Sequence, residues 1–168
     1  IRAMALYRLI DWNEPYPVDR TTGQLRDLPT GRIDGTAAIT RWVKDHLADA
    51  EGETLAALYY LAKVYDVALD PKSVERQVLT TAAHRNERIE ALNVLLKSPT
   101  DTLADTLETL LNDRDESIRL AGLKAMASTF PTRAEPHFER LLASRSVTER
   151  QAVVVALGRA PYSNLDYA

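Results

Sequence analysis

Cysteine is absent from this 168-residue chain. That excludes disulfide frameworks, thiol nucleophiles, cysteine-ligated zinc and covalent haem attachment from the segment. Long apolar runs are missing too: the longest uninterrupted one, Leu55 to Ala62, falls far short of the ~18 residues a membrane-crossing helix requires. No membrane span is expected. Charge of one sign is not in excess either, with 21 Lys+Arg against 24 Asp+Glu and a formal net charge of −3, a balance that argues against a general polyanion binder unless basic residues gather on one face. No glycine-rich phosphate loop follows a strand, and no Ser-His-Asp ordering with nucleophile-elbow glycines occurs. No cofactor and no catalytic residue is expected in this segment.

What the chain does contain is helical periodicity. With 45% apolar and 27% charged residues it reads as a globular unit, a single domain over 1–168. No stretch shows sustained alternation with β-branched enrichment, so a sheet is not expected. Ile1 to Ile10 reads as an amphipathic helix that begins without an N-cap residue, which suggests a fragment of a larger protein. Pro15, Pro17, Pro29, Gly23, Gly31 and Gly35 crowd into one short region, so positions 13–35 read as a long loop. Beyond it, apolar residues at three- and four-residue spacing predict helices over 36–48, 53–67, 71–83, 86–97, 101–112, 115–128, 133–143 and 147–159, with breaks at Gly52, Asp70-Pro71, Ser98-Pro99, Asn112-Asp113, Phe130-Pro131 and Ala160-Pro161.

These helices repeat. Arg88, Arg119 and Arg150 recur at one constant step, and apolar positions move with them: Leu92, Leu123 and Val154; Leu95, Met126 and Leu157; Leu79, Leu110 and Leu141. A step of ~31 residues is on the scale of one helix pair per repeat. One further step back sets Leu61 against Leu92 and Val64 against Leu95. The opening helix lies along Ile118–Met126, as the second helix of a unit whose first is missing. Arg2 and its counterpart Ala57 stand further apart than one such step, and the excess is the inserted 13–35 loop. A helix pair cannot bury its apolar stripe alone, but stacking successive pairs joins the stripes into one core. The expected fold is therefore all-α, a right-handed solenoid of about four to five helix pairs with one inserted loop. Small residues, Ala91, Gly122 and Ala152, fall where neighbouring helices approach. Asp113 is expected to cap the turn into its helix while Arg119 reaches toward an adjacent unit; Ala82 and Ser144 replace the aspartate before Arg88 and Arg150, leaving the ladder incomplete.

The repeat, with the Asp113 to Arg119 pair as its most specific piece, resembles HEAT repeats, in particular the short kind of phycobilisome-lyase-like HEAT proteins. The resemblance covers most of the chain outside the loop. The tetratricopeptide pattern of Trp, Gly and Tyr is absent. A narrower resemblance rests on Asp11-Trp12-Asn13-Glu14-Pro15-Tyr16-Pro17-Val18-Asp19-Arg20-Thr21-Thr22-Gly23, on Leu28-Pro29, and on Ser146-Val147-Thr148-Glu149-Arg150-Gln151-Ala152. These look like segments of large secreted sorbosone-dehydrogenase-like proteins, in which a HEAT array lies between a sugar-dehydrogenase propeller and a c-type cytochrome domain. The resemblance implies a spacer or docking surface between redox domains in a periplasmic or secreted protein, and it transfers no catalytic residue.

Other candidates compete with plainer readings. His46 stands among Asp45, Asp49, Glu51 and Glu53, where a histidine and a carboxylate three apart can share a metal, or simply form a solvated helix end. Tyr7, Tyr59, Tyr60, Tyr65 and Trp42 lie at helical spacings that suit packing, or a stacking platform. Arg85, Arg88, Arg119 and Arg150 can form a basic stripe of the kind HEAT-like DNA glycosylases use, or serve inter-unit bonding. The long loop, with Trp12, Asp19, Arg20, Thr22 and Gly23, is the candidate interaction segment, Thr22-Gly23 forming its bend, or else a cover for Leu6 and Leu9. The function expected is a non-catalytic scaffold whose partners are proteins; a peptide-binding regulatory module is the first alternative, and a glycosylase or bilin lyase the second.

Overall fold

The computed structural model describes residues 2–10, 18, 22–25 and 34–159. Among them the protein is all-helical, with α1 (Arg2–Ile10), α2 (Thr36–His46), α3 (Gly52–Val64), α4 (Pro71–Leu79), α5 (Arg85–Leu95), α6 (Leu103–Leu110), α7 (Glu116–Thr129), α8 (Pro131–Leu142) and α9 (Val147–Arg159). The extended pairing recorded among the described residues is one isolated antiparallel bridge, Val18 with Leu25. The 13–35 segment therefore carries a local pairing where a structureless loop was expected.

Helices begin where a side chain can accept from the free N–H groups of a first turn. Asp70 takes the Ser73 N–H at 3.0 Å, Asp115 takes the Ser117 N–H at 2.8 Å, and Ser146 Oγ takes the Glu149 N–H at 3.2 Å. Proline occupies the opening position of α4 and of α8. The predicted start of α8 at 133 is thus two residues late: Pro131 opens the helix, because an N–H at that position would have no helical acceptor. Predicted ends at 67 and 83 overrun. Helix α3 stops at Val64, where Asp66 adopts φ 54° and the Val67 N–H returns to the Ala62 carbonyl at 2.9 Å, the Schellman closure. Helix α4 stops at Leu79, where Thr80 turns extended and its hydroxyl donates to the Arg76 carbonyl at 2.7 Å.

Two compact units result, Ile1–Lys97 and Ser98–Ala168, with the boundary at the Ser98-Pro99 break. In the first, α3 packs against α1, α2 and α5, and α5 also against α4. The near-continuous apolar content of α3 follows from this central place, for Leu55, Ala56, Ala57, Leu58, Tyr59, Leu61 and Ala62 are all buried. Leu6 of α1 is buried as well. Two side chains tie helix ends together across the unit: Tyr65 Oη donates to the Leu9 carbonyl at 2.6 Å, and Lys97 Nζ donates to the Lys63 carbonyl at 2.6 Å.

In the second unit α7 packs against α6, α8 and α9, and α8 against α9, around Leu107, Leu110, Leu111, Leu123, Met126, Phe138, Leu141 and Val153. Gly122 sits where α6 presses on α7. A Cβ there would lie 2.8 Å from Leu110 Cβ, an atom too close to the backbone to swing aside. A Cβ at Gly158 meets nothing within 4 Å. Gly122→Ala is therefore expected to destabilise the chain by about 1–2 kcal/mol through overpacking, whereas Gly158→Ala gains about 0.5 kcal/mol from helix propensity alone. Thermal melts of the two variants, read by circular dichroism, should move in opposite directions.

Candidate functional site

Arg88, Arg119 and Arg150 each occupy the fourth position of a helix, in α5, α7 and α9. A guanidinium at that position lies over its own helix start and can reach the turn from the preceding helix. Arg119 Nη1 donates to the main-chain carbonyls of Asp113 at 2.8 Å and Arg114 at 3.1 Å. Arg150 Nη1 donates to the Ser144 carbonyl at 2.6 Å. Because these acceptors are main-chain oxygens, the arrangement survives with Ser144 where Arg119 faces Asp113. The Asp113 carboxylate accepts the Asp115 N–H at 2.8 Å and so shapes the turn, while the N-cap of α7 is Asp115. Arg88 reaches further back, its Nε donating to the Val78 carbonyl at 2.8 Å from a residue only 4% exposed.

The partner that spans hairpins is Glu149, which sequence reasoning passed over as a ligand of Arg119. Arg119 Nε meets Glu149 Oε1 at 2.6 Å, across almost one full repeat step. Glu149 is 4% exposed, accepts Ser144 Oγ on its other oxygen, and stands at the third position of α9 behind the Ser146 cap; the Ser146 hydroxyl in turn donates to Glu116. Burial pushes the Glu149 carboxyl up, but hydrogen bonds from Ser144 and Arg119 and the charges of Arg119 and Arg140 outweigh it, holding the carboxyl below its ordinary value. The signal for this residue was present as the Ser146-x-x-Glu149 capping pattern about one repeat step from Arg119.

A second polar group covers the first unit along α1, α3 and α5. Tyr7 meets the edge of Tyr60, with ring centroids 5.9 Å apart, and Lys63 Nζ lies 4.4 Å above the Tyr60 ring and 3.5 Å from Glu90. Asn93 donates to Glu90 at 3.2 Å, and Asn86 to Glu53 at 2.7 Å. Burial, then the charges of Glu53 and Glu90, raise the Tyr7 phenol. Beneath this face Tyr59 is buried, and that burial, with Glu87 nearby, pushes its phenol up to about 12. Glu87 is itself buried and accepts from Gln77 at 3.1 Å.

His46 Nδ1 bonds to the Trp42 carbonyl at 2.9 Å and its ring stacks on Trp42 with centroids 4.4 Å apart; no group of three or more metal-ligating side chains occurs among the described residues. Thr22 Oγ1 accepts the Gln24 N–H at 3.4 Å and Gly23 takes φ 70°, a left-handed geometry that glycine adopts without Cβ strain, at the bend between Val18 and Leu25. Trp12, Asp19 and Arg20 lie outside the described residues. None of the helices described is long and apolar enough to cross a membrane. Comparison with protein-family models, with curated proteins and with solved structures returned no match.

The part-buried ion pair has a pH signature that runs in the same direction whichever partner is removed. With Arg119 in place the Glu149 carboxyl is depressed, so its stabilisation is present above the ordinary value of 4.5 and is lost as pH falls through the folded value. Glu149→Gln should cost about 2 kcal/mol at pH 7, and its deficit should shrink in acid. Arg119→Met strands a buried carboxylate and should cost more at pH 7, about 3–5 kcal/mol, recovering part of that as Glu149 takes up a proton. Urea unfolding of the three proteins at pH 7 and pH 3.5 checks both signs.

Proposed function

We propose that this chain is a HEAT-type solenoid segment serving as a non-catalytic scaffold for protein contacts. The observation that carries the reading is the Arg119–Glu149 pair, about one repeat step apart, within a register where arginine recurs at the fourth position of α5, α7 and α9. Each of these guanidiniums is engaged by the protein's own carbonyls, which suits a role in holding helices together rather than gripping a phosphate backbone. The face of Tyr7, Tyr60, Lys63 and Glu90 is the contact surface of this scaffold. It combines aromatic area with charges already paired, as protein interfaces do. The resemblance of the 11–23 segment and of 146–152 to sorbosone-dehydrogenase-like proteins adds the finer reading, a spacer between domains of an exported dehydrogenase.

Two measurements test the proposal. A 168-residue chain folded around one closed centre has a radius of gyration of about 15 Å, so solution scattering should give a clearly larger value for a linear array; a value at 15 Å overturns the solenoid. A photo-crosslinking amino acid placed at Tyr7 or Tyr60 in the protein expressed in its native cell should then capture a defined protein surface. Turnover of a small molecule by the purified chain, abolished by Lys63→Met with the melting temperature unchanged, would overturn the scaffold.

A further inference from the structure

Two aromatic rings and two carboxylates meet on the face of the first unit built by α1, α3 and α5. Tyr7 and Tyr60 stand edge to face, with ring centroids 5.9 Å apart and planes at 63°, so together they make a corner walled by two rings. A tyrosine face carries the negative part of the ring quadrupole and attracts cations. Glu53 and Glu90 both lie close enough to raise the Tyr7 phenol, which sets two negative charges around the same corner.

The protein's own lysine shows what this corner accepts. Lys63 Nζ sits 4.4 Å from the centroid of Tyr60 and 3.5 Å from Glu90, a cation held between a ring and a carboxylate. The bond to Glu90 is longer than a full-strength hydrogen bond, and both side chains stay in touch with water, so the pair is weak and open to competition. Tyr7 and Glu53 are the parts of the corner that Lys63 leaves uncovered. Glu53 meets the Asn86 amide at 2.7 Å and His84 Nδ1 at 3.8 Å. That Nδ1 accepts the Asn86 N–H at 3.4 Å as the N-cap of α5, so it turns a lone pair rather than a proton toward Glu53. Among the described residues Glu53 is therefore a half-exposed carboxylate without a cation.

Arginine suits such a place better than lysine. Its planar guanidinium stacks on an aromatic ring while its edge donates to a carboxylate, and it sheds water more readily than an ammonium. Resting on the scaffold reading above, we infer that the corner of Tyr7, Tyr60, Glu53 and Glu90 recognises an arginine in a basic segment of the protein partner. The guanidinium stacks against the tyrosines and pairs with Glu53, beside the ammonium that Lys63 already places between Tyr60 and Glu90.

The probes are two capped hexapeptides, one alternating arginine with glycine and one alternating lysine with glycine, titrated into the isotope-labelled chain and followed by amide NMR shifts. The arginine peptide should move the signals of Tyr7, Tyr60, Glu53 and Glu90 and bind about threefold tighter than the lysine peptide. Glu53→Gln and Tyr7→Leu should each weaken it about threefold, with melting temperatures that stay near that of the original chain because both side chains are exposed. Lys63→Met frees the Tyr60 ring and should tighten it. Equal affinity for the two peptides, shifts gathered elsewhere on the chain, or binding that survives the loss of Glu53 and Tyr7 together overturns the inference. Tetramethylammonium moving the same signals as strongly as the arginine peptide also overturns it, in favour of a small quaternary cation. Capture of a protein at Tyr7 or Tyr60 without arginine binding sinks this inference and leaves the scaffold standing, whereas a radius of gyration of about 15 Å or small-molecule turnover sinks the scaffold whatever the peptides do.

Discussion

Short helices cannot stand alone in water. The helices described here run from eight to fourteen residues, at or below the length at which an isolated helix holds together. Each therefore exists because an apolar face is covered by a neighbour. Helix α3 meets this demand most fully, flanked by α1, α2 and α5 with little polar surface left over. Its sequence accordingly loses the amphipathic pattern that α4, α6 and α8 keep, and Tyr59 is drawn deep enough for its phenol to hold its proton to about 12.

Burial by neighbours leaves a second problem, the carbonyls that end each helix without an intrahelical donor. The protein answers it with side chains borrowed from elsewhere in the unit. Tyr65 serves α1 through the Leu9 carbonyl, Lys97 serves α3 through Lys63, and Arg140 serves α6 through Leu111 at 3.1 Å. The lysine and arginine also place positive charge at helix C-termini, where the peptide dipoles favour it. Arg88, Arg119 and Arg150 do the same for the turns inside their own hairpins. Main-chain carbonyls are the shared acceptors, and this is why the side chain at the position of Asp113 can vary while the arginine stays in register.

The elements that follow from local chemistry were legible in the sequence. Helix starts at Asp70-Pro71 and beyond Asp113, the constant arginine register, and the bend at Thr22-Gly23 all depend on patterns written along the chain itself. Helix ends were less legible: those of α3 and α4 fell three and four residues early, because Asp66 entered the left-handed region and Thr80 bonded to the turn behind it, neither of which alters the apolar spacing. The Arg119–Glu149 pair was harder still. An arginine's target is chosen by where the next hairpin lands, and the aspartate nearest in sequence drew attention away from a glutamate in the following hairpin. Of the Tyr7, Tyr60, Lys63 and Glu90 group, helical spacing gave the two tyrosines but neither Lys63 nor Glu90, since the group joins three helices that only packing brings side by side. Trp12, Asp19 and Arg20 lie outside the described residues.

Equivalent positions in a repeat share a sequence pattern but not an environment. Leu123 and Val154 occupy one register position, yet one is sealed in a core and the other faces water. The difference cannot come from the residues, which are both branched and apolar; it comes from the packing around them, since α7 lies against α6, α8 and α9. The same holds for Arg119 and Arg150, both bonded to the carbonyl six residues back and different, among the described residues, in whether a carboxylate joins them.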